Sequence, residues 1–290
     1  MKTKKILIRF GVILSVLSFL CLAACGDNDN VSTPTTTPTA DRDAAEAIAS
    51  DIAYETGGTV DQIADVCMFA NADGMTKMSS KYPDRSFVIQ KTYNTVTGVW
   101  TIHIERERGI AETIPYAYFS RDYTLQYLNA SGIAQQHYVA GADTATTILF
   151  NVIQGNGRHI TRRLSQQLNQ LTAHWTVTNA NQDIVTINGD YNRAAIDTLS
   201  YWNRKRISDH ALQLNIQDLT VPRGENVNVA NTLSGHITGH FHADITFIQG
   251  TAYNEGVVDR DIDITIGSGQ GNIVINGLTY RSDISSGELR

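Results

Sequence analysis

The sequence predicts a mainly β protein: antiparallel sheets forming a β-sandwich or an open barrel, preceded by a short helical hairpin. Three observations carry this. From Ser86 onward, apolar residues alternate with polar ones at a period of two, as strands with one buried face require. Asn188-Gly189 and Asn276-Gly277 supply the residues that two-residue hairpin turns favour. Residues 43–72 instead repeat their apolar positions at helical spacing. Parallel strands covered on both faces read as continuous apolar runs, so the polar alternate positions here point to antiparallel pairing.

Lys2, Lys4, Lys5 and Arg9 precede an apolar run from Gly11 to Ala24, and no acidic residue occurs before Asp27. Residues 1–24 therefore read as an export signal, not as part of the fold. The run is short for a bilayer core of roughly 30 Å. It ends in Leu22-Ala23-Ala24-Cys25, which resembles the lipobox of bacterial lipoproteins. The resemblance implies cleavage before Cys25 and acyl chains, palmitate among them, on that residue. It implies a membrane partner through those chains and an outer-membrane location, on the periplasmic or the surface-exposed side. Several chains anchor far more firmly than one, at about 0.8 kcal/mol per buried methylene. Gly26 rather than Asp follows the cysteine, and Asp27 and Asp29 are similar to the acidic export signals of some surface lipoproteins.

Residues 25–40 hold the lipidated cysteine and a Thr/Pro tract with Pro34 and Pro38. Such a composition builds no core and reads as a tether. Residues 26–40 reach about 50 Å when fully extended.

The helical hairpin is assigned to residues 41–75. Ala44, Ala45, Ile48, Ala49 and Ile52 form one stripe, which Gly57-Gly58 ends. Thr59 followed by Gln62 matches a capping box, and Val60, Ile63, Ala64, Cys67 and Met68 form the second stripe. Asn71 and Gly74 supply stop signals. Residues 76–290 form the β body, with about ten to twelve strands at the usual spacing. Within it, Leu164, Leu168 and Leu171 have helical spacing and leave residues 161–171 open between helix and strand. The glycines of Gly267-Ser268-Gly269-Gln270-Gly271 fit no dinucleotide-binding spacing and read as a wide hairpin loop.

Charge narrows the partners. Without its leader the chain keeps 19 basic residues against 29 acidic ones, a net charge of −10. Such a body repels phosphate backbones, which argues against nucleic acid. Arg204-Lys205-Arg206 is the one basic cluster and reads as a solvated loop or face. With Cys21 removed and Cys25 lipidated, Cys67 has no internal disulfide partner and sits among apolar neighbours as a small hydrophobe.

Chemistry-bearing patterns are sparse. His240 and His242 share a strand face about 7 Å apart, close enough for one metal ion, and Asp244 extends that face. A return strand at 257–267, after a loop at 250–256, sets Asp244 beside Thr265. Two imidazoles are half a tetrahedral site, and no metal or other cofactor is assigned. Glu105 and Glu107, like Asp259, Asp261 and Asp263, are carboxylates on one strand face each, the ordinary makeup of a solvated face. Tyr116, Tyr118, Phe119, Tyr123 and Tyr127 read as strand packing. No nucleophile elbow or zinc-protease helix occurs, and no catalytic residues are assigned. The expectation is a non-enzymatic envelope lipoprotein, a binding or structural module with a protein or glycan partner. The alternatives are a lipid or hydrophobic-ligand carrier with an open barrel and a metal-binding protein using His240 and His242.

Overall fold

The computed structural model describes residues 38–77, 86–223 and 228–290; the predicted leader, Cys25 and most of the tether lie outside them. Helices α1 (Pro38–Ile52) and α2 (Thr59–Phe69) come first, followed by a single turn, α3 (Gly74–Lys77). Strands then follow without long interruption. They are β1 (Ser86–Asn94), β2 (Val99–Gly109), β3 (Tyr116–Leu128), the short β4 (Ala134–Gln135), β5 (Val139–Ala140) and β6 (Asp143–Thr144), β7 (Thr147–Ile160), β8 (Leu164–Thr178), β9 (Ile184–Tyr201) and β10 (Arg204–Pro222). After the turn α4 (Val229–Thr232) come β11 (Ser234–Gln249), β12 (Ala252–Gly267), β13 (Gln270–Ile275) and β14 (Leu278–Asp283).

Twelve strands form one open antiparallel sheet in the order β1-β2-β3-β7-β8-β9-β10-β11-β12-β13-β14, with β4 beside β3. The layer packed against this single sheet is helical, where a sandwich would have a second large sheet. All eleven residues of α2 are buried, which requires the sheet to curl around the helix. The predicted stripe of α1, from Ala44 to Ile52, is buried as well. Inside the curl, Phe150 packs against Tyr123, Trp175 and Phe69, with ring centroids 4.8, 5.7 and 6.2 Å away. Each such buried side chain contributes roughly 1.5–3 kcal/mol through removal from water. Phe119, Tyr123 and Tyr127 face inward and Tyr116 and Tyr118 outward, so the β3 aromatics divide by strand parity.

Local chemistry departs from the predicted pattern at some places and follows it at others. Gly58, not Thr59, is the N-cap of α2, and no side chain caps it. Gln62 instead donates to the Gly58 carbonyl at 3.2 Å, so the capping box does not form. Gly57 turns the chain at φ +72°, and a Cβ there would lie 2.4 Å from the Phe119 ring; the turn is too tight and too enclosed for a side chain. At the other end of α2, Asn71 Nδ2 donates to the Cys67 carbonyl at 2.9 Å, a stop as predicted. Residues 164–171 are strand, and a register shift between Leu168 and Gln170 places both Leu168 and Leu171 inward. A bulge thus produces the helical spacing. Asn188-Gly189 lies inside β9, where Asn188 Oδ1 accepts from the Asp218 backbone N–H at 2.7 Å beside the register shift of β10. Asn276-Gly277, by contrast, is a two-residue turn with both residues at positive φ. Ser268-Gly269 makes a similarly tight turn, so no wide loop exists there.

Candidate functional site: a cavity over a buried ionic floor

The helices are joined to the sheet by charges as well as by apolar contact. On α2, Asp61 Oδ2 accepts from Arg121 Nη1 at 2.7 Å and Asp61 Oδ1 from Arg106 Nη1 at 3.2 Å. Asp65 pairs with Arg106 and accepts from the Tyr123 hydroxyl at 2.8 Å. These groups are wholly buried. Burial alone would raise the Asp61 pKa, but Arg121, Arg106 and Arg108 outweigh it and hold the carboxyl down at about 2. On α1, Asp41 accepts from Arg260 Nε at 2.6 Å and from Asn276 Nδ2 at 3.1 Å.

Asp51 lies at the C-terminal end of α1. Its Oδ2 is 2.7 Å from His210 Nε2, and its Oδ1 is 2.8 Å from Arg193 Nε and accepts from Gln166 Nε2 at 3.2 Å. The Arg193 contact is an ion pair whose angle falls short of a hydrogen bond. Burial opposes the imidazolium of His210, yet Asp51 and then Asp197 overcome it and push its pKa up to about 9. His210 is therefore charged at neutral pH. Asp51, Asp197 and His210 each offer a ligand atom within 4.8 Å of the others. Arg193 already supplies a positive charge to this set, its Nε 2.8 Å from Asp51 Oδ1.

Asp197 leads from this floor to an opening. It sits on β9 opposite Gln166 of β8 and Ser208 of β10, is 4% exposed, and lines a cavity of about 760 Å³. Its Oδ1 has no hydrogen-bond partner. Burial is the main influence on its acidity and raises the pKa to about 6, against the pull of His210. Ser50, Ser208 and Thr56 add hydroxyls to the wall, and Leu164, Leu199, Phe241 and Ile245 add apolar surface. His159 stands in the same wall with its Nδ1 unpartnered; burial, with Arg108 and Arg193, lowers its pKa to about 4 and keeps it neutral. Arg206, on the inward parity of β10, pairs with Asp43 and Glu46 of α1 at the cavity edge. It is therefore not part of a solvated basic cluster, whereas Arg204 and Lys205 are exposed.

The predicted metal candidates lie elsewhere, on the outer face. β11 and β12 are joined through Gly250-Thr251, not through a loop at 250–256, so Asp244 stands opposite Val257 rather than Thr265. The same register sets Asp261 opposite His240 and Asp259 opposite His242. His240 Nδ1 is 3.0 Å from Asp261 Oδ1 and His242 Nδ1 is 3.0 Å from Asp259 Oδ2. Asp244 does not join them. Glu105 and the row Asp259, Asp261 and Asp263 likewise face histidines. Six of the eight histidines pair with an aspartate.

Cys67 is buried, and burial pushes its thiol up to about 12. The residues that build the cavity floor, Asp51, Arg193, Asp197 and His210, escape a reading based on linear motifs because they come from α1, β9 and β10. One signal does mark them: Arg193, Asp197 and His210 occupy the inward parity of their strands, beside Tyr191, Ala195 and Leu212. No protein-family model, curated protein or solved structure matches the chain.

Proposed function

We propose that the chain is a lipid-anchored protein of the bacterial outer membrane, held through Cys25, whose body is a non-catalytic binding module. The cavity next to Asp197 is its ligand site. The observation that carries this is the buried carboxyl group of Asp197, its Oδ1 without a hydrogen-bond donor, at the wall of a 760 Å³ cavity. A buried polar atom without a partner costs about 1–3 kcal/mol, and a ligand that supplies a hydrogen-bond donor removes that cost. Volumes of this size suit small-molecule ligands. The ligand is small and polar at the end that meets Asp197, with an apolar part against Leu199 and Phe241.

Binding without catalysis is favoured by how the candidate groups are engaged. Among the described residues, no serine, threonine or cysteine side chain hydrogen-bonds a histidine ring, the pairing that activates a nucleophile. The carrier alternative finds less support, because α1 and α2 fill the concave face where an open barrel would hold an apolar ligand.

Mass spectrometry of the chain extracted from membranes tests both halves. Under denaturing conditions the mass includes acyl chains on an N-terminal Cys25; their absence removes the anchor. Under native conditions an additional small molecule accompanies the wild type and is missing from Asp197→Leu. An adduct equally present in both variants removes the cavity assignment.

A further inference from the structure

In this antiparallel order the turns after β2, β7, β9 and β11 project from the same end of the sheet. That end carries exposed aromatic and basic side chains together. Trp202, at the tip of the β9–β10 hairpin, is wholly exposed, and Tyr201 beside it is exposed. Ile110 and Ile114 protrude from the β2–β3 turn, and Phe247 and Tyr253 flank the β11–β12 turn. Interleaved with them are exposed Arg162, Arg163, Arg204 and Lys205. Glu112 is the one acidic residue in these four turns, at residues 110–115, 160–164, 200–205 and 247–253, and Glu255 follows just beyond the last, accepting from the Tyr253 hydroxyl. In a chain whose leaderless charge is −10, this is a local reversal of sign.

Aromatic rings next to basic side chains match the two layers of a bilayer surface. Tryptophan and tyrosine favour the headgroup level, and Lys and Arg are drawn to an anionic surface. Two placements strengthen the match. The cavity opens at this end, since Ile114, Arg162, Arg163 and Tyr201 line it together with Arg42, Asp43 and Glu46 from the first turns of α1. The described chain begins at α1, and twelve residues, 26–37, separate it from Cys25, a span of at most about 40 Å.

We propose that this rim is a second membrane contact: it rests on an anionic phospholipid bilayer, with Trp202 and Tyr253 at the headgroup level and Arg162, Arg163, Arg204 and Lys205 against the phosphates. The cavity then opens onto the bilayer. The acyl chains hold the protein, and the rim sets its orientation. The short span to Cys25 rests on the lipid-anchor reading, whereas the composition of the rim does not.

The test uses the acylated chain in vesicles of phosphatidylethanolamine with one quarter phosphatidylglycerol, and in vesicles of phosphatidylcholine alone. Subtracting the emission of Trp202→Phe from that of the wild type isolates Trp202. In the anionic vesicles this signal shifts to the blue, loses its quenching by acrylamide and is quenched by lipids brominated near the headgroup. These changes are absent in phosphatidylcholine. They are also lost in Arg204→Glu/Lys205→Glu, whose acyl mass and circular dichroism match the wild type. Acrylamide access unchanged by anionic vesicles, or protection that persists in the charge-reversed variant, overturns the proposal. If the mass shows no acyl chain on Cys25, the anchor reading falls, and the same Trp202 signal from protein mixed with preformed anionic vesicles decides the rim on its own.

Discussion

Asp61 on the enclosed helix and Arg121 on β3 meet at 2.7 Å with both side chains out of contact with solvent. The contact recurs in kind along the helical pair: Asp41 with Arg260, Asp51 with Arg193, Asp65 with Arg106. Each helical aspartate thus has a sheet arginine, and the helices are located by charge within an otherwise apolar interior.

Removing one partner leaves the other charge stranded. Asp61→Ala is expected to lower unfolding stability by about 3–5 kcal/mol, read from urea denaturation. Replacing the pair with apolar residues, Asp61→Leu/Arg121→Met, is expected to be less damaging than Asp61→Ala alone, because no unpaired guanidinium remains at Arg121.

Acid sensitivity follows from the same residue. The Asp61 pKa is lowered from 3.8 to about 2 in the fold, so the unfolded chain takes up its proton first. The stability it contributes is complete above about pH 4 and is lost as pH falls toward 2. Denaturant titrations across that range are expected to show a shallower acid slope in Asp61→Asn.

At the cavity floor the dependence has the opposite sign. The His210 pKa is raised from 6.5 to about 9 in the fold, so its contribution is full below pH 6.5 and disappears as pH rises through 9. Stability of the wild type is expected to fall across this alkaline window. His210→Gln is expected to be less stable at pH 6 and to show a flatter profile between pH 6.5 and 9.

On the outer face, the hydrogen bond that His240 donates to Asp261, with Asp259 adding to it, raises the pKa of His240 above 6.5. Proton NMR titration is expected to show that elevation in the wild type and a lower value in Asp261→Asn, with little change in overall stability because the pair is solvated.

Cys67 offers a probe of the enclosed helix. Buried and with its thiol pushed up to about 12, it is expected to resist an aromatic disulfide reagent in the folded protein. The reaction is expected to proceed at the rate of unfolding, and faster in Asp61→Ala. Rapid labelling of the native wild type would show that α2 is accessible.

The β body was legible because its residues alternate: Ile262, Ile264 and Ile266 read as one buried face and are one. The stripes of α1 and α2 were legible for the same reason. What alternation does not carry is register. A two-residue turn at Gly250-Thr251 in place of seven residues moved the partner of Asp244 from Thr265 to Val257 and brought Asp259 and Asp261 to the histidines. Bulges hid the parity at Leu168 and turned an Asn-Gly pair from a hairpin tip into a strand interior. The ionic contacts to the helices were present in the sequence as charges on inward positions, Arg121 between Phe119 and Tyr123 and, at the cavity floor, Arg193 between Tyr191 and Ala195. Those charges became intelligible once the helices supplied their counterparts.

The nearest-neighbour order of the long strands gives the chain a direction of assembly. Each hairpin closes on residues just made, so loop closure is cheap at every step. The helices are the exception, being synthesised before any strand that covers them. Arg106 and Arg121, the partners of α2, follow within some sixty residues of Asp61, with sequence separations of 45 and 60, whereas Arg260 reaches Asp41 across 219. In a chain synthesised from its N-terminus, α2 finds its cover early, and α1 stays uncovered on its Asp41 side until β12 has crossed. Any factor that engages the growing chain meets an acidic, alanine-rich helix before it meets a finished sheet.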